Sequence, residues 1–395
     1  MSKMILESVR HTPVSGTWDV VVVGGGIAGV AAAVAAARNG ARTCLVEKFC
    51  SLGGLATLGL VAIYLPLCDG RGRKVIAGLG EDLLKLSVRD RFGPIPSCWQ
   101  RGGDKASRTK HRYLVEFNPP SFMLELEALA VREGVTLMYD SRFCDLVRKG
   151  GRIAAVIIEN KSGRSALAAR TVVDASGDAD VCARAGEDTV SLRTNVACNW
   201  FYHFDGQAVH INQFSRPYSP LGRRMPGPAY AGDIAGDVTR QILDSRQMLR
   251  ERLAELARTG PARLVLAATM PSFRMTRRLK GAVELQEADD GRVFEDSVGM
   301  TGDWRKPGPV HHIPLRSLVA VHTANLVTAG RCISSASAWD VTRAIPTCAV
   351  TGQAAGVAAA LACRKTAGAI AKLDVARLQR ILAGQKVLID APKKK

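Results

Sequence analysis

Val20-Val-Val-Val-Gly-Gly-Gly-Ile-Ala-Gly-Val-Ala-Ala-Ala-Val-Ala-Ala-Ala-Arg38 is the stretch from which the fold is read. Its opening valines predict a strand buried on both faces. Gly24, Gly26 and Gly29 follow at the spacing GxGxxG, and an alanine-rich helix starts at once. In that pattern the first glycine makes the tight turn and the second lets backbone approach a pyrophosphate. The third lets the helix lie close on the strand. The helix N-terminus presents free N–H groups and a partial positive charge to an anion. A second strand, Thr43 to Glu47, ends in an acid eighteen residues after Gly29, placed to accept hydrogen bonds from a ribose hydroxyl pair. Gly53 and Gly54 then remove side chains where a long ligand must pass beside backbone. A lone GxGxxG is weak; strand, glycines, helix, strand and acid in one unit predict a dinucleotide-binding α/β fold. The window 20–37 is uncharged and about as long as a bilayer span. Its glycines interrupt a helix and its alanines gain little from lipid, so no membrane span is expected.

The chain has 395 residues, enough for two domains or one with an insertion, and its 47% hydrophobic content supports a large core. Ten cysteines are scattered with no CxxC pair and no metal-ligand spacing. They predict reduced thiols, no metal site and a cytoplasmic protein. Residues 1–19 hold no apolar run of signal-peptide length, so no secretory leader is expected. The 54 basic and 36 acidic residues leave a formal charge of +18. Such a surface draws anionic substrates or acidic partners. With no arginine-rich helix or aromatic nucleic-acid motif, nucleic acid ranks last among the partners. Lys393 to Lys395 read as a frayed, solvated tail.

Residues 60–115 read as a loop-rich excursion with a helix near 81–89 and a polar, exposed run over 92–111. Pro120-Ser121 opens a helix whose apolar face carries Phe122, Leu124, Leu126, Leu129 and Val131. Strands are expected at 135–138, 143–148, 153–159 and 166–173. The last three form a small sheet turned at Gly150-Gly151 and Ser162-Gly163. The third ends in Asp174-Ala-Ser-Gly177, where Gly177 admits a ligand to the backbone and Ser176 offers a hydrogen bond. From 186 to about 319 the character changes. An aromatic strand at 199–203, loops over 206–237, a helix over 238–258 and a strand at 264–270 predict a second, substrate-facing α+β domain. It is inserted into the first, which runs over 17–185 and returns over 320–395. The return carries a short buried strand and a small-residue helix, whose N-terminus is expected at Thr351 or Gly352. There is a single GxGxxG unit, so one dinucleotide is expected.

These pieces together resemble the glutathione-reductase-like FAD flavoproteins. More narrowly, they resemble an FAD-dependent oxidoreductase family through Gly24 to Gly29, Asp174 to Asp178, and Ala329 to Ser334 with Arg343 and Gly352 to Gly356. Thr276 to Gly281 and Ile313 to Leu318 extend the likeness. The resemblance implies a Rossmann-like FAD-binding domain with a parallel sheet and a small antiparallel one, holding FAD noncovalently. It puts the pyrophosphate on Gly24, Gly26, Ile27, Ala28 and Gly29, and the adenosine ribose on Glu47, with Lys48, Gly53 and Gly54 beside them. Cys144 would meet the adenine through its backbone. Ala175, Ser176 and Gly177 would lie along the cofactor, and Gly330 and Arg331 near its phosphate and ribityl region. Gly352, Gln353, Ala354 and Ala355 would point a helix N-terminus at the flavin ring, stabilising the negative charge that reduction places there. Two departures narrow the chemistry. The Cys-x4-Cys pair of disulfide reductases is missing, Cys44 and Cys50 being spaced differently. Gly330 to Ser334 replaces the Gly-Asp-Ala-Ala-His segment of aromatic hydroxylases.

The expected activity is therefore that of an FAD-dependent oxidoreductase of dehydrogenase type, passing a hydride between a small anionic metabolite and the flavin. A base must take the accompanying proton. His312 and His311, next to the inserted block's junction, are the first candidates, and His203 is the second. A packed histidine is an equally plain reading of each. Arg277 and Arg278 would clamp a carboxylate, against the plainer reading of a surface ion pair. Cys68 has no neighbour that lowers its pKa. Two alternatives stand beside this: an oxidase or monooxygenase using oxygen, and an electron-transfer subunit of a complex. The sequence leaves the electron acceptor and the oligomeric state open.

Overall fold

The computed structural model describes residues 10–90, 103–112, 114–214 and 227–390. The polar run at 92–102, part of the 206–237 loop and the lysine tail lie outside the described residues. The all-valine end of β1 (Val14–Val23) is the centre of a seven-stranded sheet. On one side β1 pairs with β2 (Thr43–Val46), and β2 with β5 (Thr136–Met138); on the other it pairs with β8 (Gly163–Asp174). The C-terminal half of β8 pairs with β16 (Leu326–Thr328), so five strands run parallel. The N-terminal half of β8 turns antiparallel onto β7 (Arg152–Asn160), and β7 onto β6 (Arg142–Lys149). This is the expected pairing of a parallel sheet with a small antiparallel one. Val20, Val21 and Val22 are fully buried because helices cover one face and β6–β8 with their neighbours cover the other.

Two helices of small residues set the thickness of the molecule. α1 (Ile27–Arg38) is buried along Ile27 to Ala36. It packs on α8 (Ile345–Lys365), which carries Pro346 in its first turn. A Cβ on Gly352 would lie 2.2 Å from the Ala28 carbonyl oxygen, and one on Gly356 2.1 Å from that of Ala32. Glycines one turn apart thus bring the two helices into backbone contact. α8 is long and apolar enough to cross a bilayer, and 89% of its apolar window is buried inside the molecule. Around this pair pack α2 (Leu79–Ser87), α4 (Pro119–Arg132) and the C-terminal α9 (Val375–Gly384). α4 buries Phe122, Leu126 and Leu129. Leu124 and Val131, expected on the same face, are exposed because 3.6-residue spacing turns them away.

The excursion after α1–β2 holds the short pair β3 (Ile63–Tyr64) and β4 (Val115–Glu116) and a polar helix, α3 (Lys105–His111). After β8 come α5 (Asp180–Ala185) and β9 (Thr189–Ser191), which pairs with β13 (Arg277–Leu279). Between them a three-stranded antiparallel sheet places β10 (Asn199–Phe204) between β11 (Val209–Phe214) and β12 (Arg263–Ala267), with α6 (Ala235–Leu256) alongside. This block keeps its own apolar cluster, around Trp200, Tyr202 and Ala268 with Leu60. The stretch from Leu285 to Val319 behaves otherwise. Its hairpin β14 (Ser297–Gly302) and β15 (Val310–Pro314) packs into the main core against α8, so Val298, Met300 and Ile313 belong with the first domain's helices. The short helix α7 (Trp339–Thr342) leads into α8.

Candidate cofactor and active site

All five parallel strands end on one side, and their C-terminal ends line a single cleft of about 1090 Å³. That is the place where open α/β sheets bind ligands. Sheet order fixes the sequence of lining groups along it. Ser141, Arg142 and Phe143 follow β5, and Glu47, Lys48 and Phe49 follow β2. Gly24 and Gly26 follow β1, Ala175 to Gly177 follow β8, and Ala329 to Arg331 follow β16. Met270, Arg343, Ile345 and Cys348 close the far end.

The glycine turn divides its labour as the sequence predicts. Gly24 has φ +103°, and a Cβ there would meet the Ala175 carbonyl oxygen at 2.4 Å. A Cβ on Gly29 would fall 1.8 Å from the Gly24 oxygen, so this glycine backs the turn without lining the cleft. Gly26 differs: a Cβ there would meet nothing within 4 Å, because it would stand in the cleft. Gly26 also caps α1 without a side-chain oxygen. The first-turn amides of Ile27 and Ala28 are therefore left for a ligand. This cradle, which any side chain at Gly26 would fill, fits a pyrophosphate.

Glu47 is buried at the end of β2. Its Oε2 accepts from the Gly25 N–H at 2.5 Å and its Oε1 from the Phe49 N–H at 2.9 Å. Burial holds its pKa above the usual carboxylate range. Each oxygen keeps a lone pair for a ribose hydroxyl. Gly53 and Gly54 line the cleft beside it. Cys144 does not; its neighbours Ser141 to Phe143 do, so the adenine-side backbone lies just before the residue named from the resemblance. Ser176 lines the cleft, but its hydroxyl donates to Asp174 Oδ1 at 2.6 Å and accepts from the Asp180 N–H. It braces the turn instead of reaching for a ligand. Arg331 is held by the carbonyls of Gly177 and Phe273 and by Asp178 at 2.6 Å.

One expectation is corrected, the helix terminus at Gly352. Gly352, Gln353, Ala354 and Ala355 are not a helix N-terminus: α8 starts at Ile345, and they sit inside it, buried against α1. Gln353 Oε1 accepts from the Leu79 N–H at 2.8 Å, tying α8 to α2. The helix start that opens on the cleft is at Ile345 to Cys348. His311 and His312 do not line the cleft. Both are buried in the β14–β15 hairpin, where His312 faces Met300 across the pair and its pKa is lowered by burial. His203, also buried, bonds Asn212 at 2.7 Å. Arg277 and Arg278 also stand outside the cleft. Arg277 pairs with Asp180 at 2.7 Å, and Arg278 with Glu284 at 2.5 Å while lying over the Trp339 ring.

The cleft also holds residues that sequence reasoning passed over. Asp180 lines it with its pKa raised to about 6, by partial burial and then by Asp178 and Asp174. Arg343, quoted only as part of a motif, is the cation at the far end. It pairs with Asp340 one turn before it and lies 6.0 Å from the Trp304 ring. The Trp304 Nε1–H donates to the Asp340 carbonyl at 3.0 Å, so Arg343 is held on a braced support. Cys348 donates its thiol to the Arg343 carbonyl at 3.3 Å, and burial pushes it up to about 12, leaving it a neutral thiol. Met270, from the loop after β12, carried no signal in the sequence.

Among solved structures the chain is similar to a geranylgeranyl bacteriochlorophyll reductase-like protein from Thermoplasma acidophilum, at 14% identity over 96% of this chain and 94% of that one, TM-score 0.46. A 3-ketosteroid-delta4-(5alpha)-dehydrogenase from Rhodococcus jostii RHA1 is similar at 17% identity over 88% and 98%, TM-score 0.40. The myxobacterial chondrochloren halogenase CndH is similar at 16% over 93% and 78%, TM-score 0.44. The family model described as FAD dependent oxidoreductase matches residues 19–197 and 230–382. The chain belongs to the FAD dependent oxidoreductase family: it is an enzyme with a Rossmann-like fold whose cofactor is FAD.

Proposed function

We propose that the enzyme is a dehydrogenase-type member of the glutathione-reductase-like flavoproteins, moving a hydride between a small anionic metabolite and FAD. The observation that carries this reading is the far end of the cleft. There the braced guanidinium of Arg343 stands beside the first turn of α8. Both present positive charge to the same space, and an arginine fork suits a carboxylate.

The residues present fit FAD laid along the strand ends. Ile27 and Ala28 amides would take the pyrophosphate, Glu47 the ribose and the Ser141 to Phe143 backbone the adenine side. Bound FAD supplies two-electron redox chemistry. The chain's own part is to hold the cofactor extended, to fix a substrate anion on Arg343 and to narrow the far end with Met270, Ile345 and Cys348. Cys348 is a thiol that stays protonated, and Asp180, raised to about 6, is the described lining carboxyl nearest neutrality. Asp180 is the group in the cleft that would take the proton released with the hydride. The nine described cysteines, none of them in a disulfide, support the reducing, cytoplasmic setting proposed with it.

The test is anaerobic mixing of the FAD-loaded protein with small carboxylates. Bleaching of the flavin's visible band by one of them, with little peroxide on admitting air, is the expected result. Stoichiometric peroxide would make the enzyme an oxidase. Bleaching only with a protein partner present would make it an electron-transfer subunit.

A further inference from the structure

A second, smaller pocket of about 240 Å³ lies on the other side of Met270. It is built from α6, the start of β10 and the loop after β12, through Asn199, Gln241, Ser245, Met270 and Ser272. Its enclosed centre is about 10 Å³, the least that holds one water-sized group. Met270, a flexible side chain, lines both this pocket and the FAD cleft.

Gln241 is 1% exposed, and its Oε1 has no hydrogen-bond partner among the described residues. Its amide nitrogen is turned to the Val196 carbonyl at 3.4 Å, which leaves the oxygen for the pocket. The Ser272 hydroxyl, 2% exposed, lies beside the Cys198 thiol and has no oxygen or nitrogen partner there. Ser245, next to them, accepts from the Cys198 N–H at 3.1 Å. Native proteins seldom leave buried acceptors unmet. The unmet Gln241 oxygen beside a space of one hydroxyl describes a site that awaits a donor.

We propose that this pocket is the distal subsite of the substrate: a hydroxyl group donates to Gln241 Oε1 and exchanges a bond with Ser272, while the carboxylate stays on Arg343. The substrate class is then a small hydroxylated carboxylic acid. This rests on the anion-binding reading of the far end of the cleft.

The test pairs 4-hydroxybutyrate with butyrate and malate with succinate, titrated into FAD-loaded protein and read by the shift of the flavin's visible spectrum. In at least one pair the hydroxy acid should bind about tenfold or more tightly than its deoxy partner, because a site built for a hydroxyl rejects its absence. Gln241→Leu and Gln241→Met should cut that preference to about twofold or less, with Tm unchanged or raised, since each removes an unmet acceptor. No preference in either pair, a preference that survives both variants, or a clear fall in Tm in both would overturn the subsite. Spectral binding that depends on Gln241 without bleaching would keep the subsite and sink the dehydrogenase reading. Bleaching with the preference intact in both variants would do the reverse.

Discussion

Replacing Gly26 by valine separates cofactor binding from folding in a way no other glycine of the motif allows. Gly26 has φ −66° and ψ 179°, a conformation open to any residue, and an added Cβ meets nothing within 4 Å. The unfolded chain loses freedom while the folded one gains no strain, so the apoprotein should be unchanged or gain about 0.4–1 kcal/mol. The new side chain stands where the pyrophosphate must approach the amides of Ile27 and Ala28. Two charge-assisted hydrogen bonds at about 1.5–3 kcal/mol each make a loss of roughly 3–6 kcal/mol. At 1.4 kcal/mol per decade, FAD affinity should fall about 100- to 10,000-fold. Titration of apoprotein with FAD gives the affinity, and the thermal midpoint of the apo form gives the stability. Gly29→Val is the control: its Cβ would collide with the Gly24 oxygen at 1.8 Å, so it should lose stability first. A Gly26→Val protein that retains a full complement of tightly bound FAD would refute the reasoning. So would an apo form destabilised as much as Gly29→Val.

Gly352→Ala should lower stability by about 2 kcal/mol, because overpacking at about 3 kcal/mol outweighs about 1 kcal/mol of helix propensity. Gly236→Ala in α6, where a Cβ meets nothing, should show only a gain; denaturant midpoints compare the two. Asp180, with its pKa raised in the folded state to about 6, binds its proton more tightly there than in the unfolded chain. The wild type therefore loses stability as pH rises from about 4 to about 6, and the Tm advantage of apo Asp180→Asn should widen over that window and level off above it. A flat difference would mean the Arg277 pairing dominates. Arg343→Gln should leave FAD content alone and raise KM for the carboxylate substrate roughly 10- to 150-fold, the loss of about 1.5–3 kcal/mol of charged hydrogen bonding. His312→Ala should keep the rate of flavin reduction within about twofold while costing about 2 kcal/mol of stability by emptying a buried position; a large loss of rate with normal stability would return it to the active site.

Where a local rule acted alone, the sequence was enough. The run of valines, the GxGxxG turn and Glu47 are a unit whose geometry is fixed within itself, and it forms the strand, turn, helix and strand expected. The β6–β8 meander was equally legible, because alternation and glycine turns are short-range signals. The start of α8 was missed because Gly352 was read as a terminus. Pro346, suited to a first turn, marks the true start, and Gly352 with Gly356 form a packing stripe whose partner, α1, lies more than 300 residues earlier in sequence. The burial of the histidines was hidden for a related reason. Whether His311 and His312 face a ligand or a core depends on what covers the β14–β15 hairpin, and α8 covers it. Arg277 found Asp180 across the fold, a pairing that periodicity does not report. Met270 reaches the cleft only because β12 delivers its loop there.

The central claim is that FAD lies lengthwise across the strand ends, its adenosine half on Glu47 and its ring beside the first turn of α8. Equilibrium titration of the apoprotein with FAD, FMN and riboflavin tests this most directly. The account predicts one FAD per chain, released intact on unfolding, with FMN and riboflavin bound far more weakly because they leave the Glu47 end and the Gly26 cradle unfilled. FMN binding as tightly as FAD, or no uptake of FAD in excess, would contradict it.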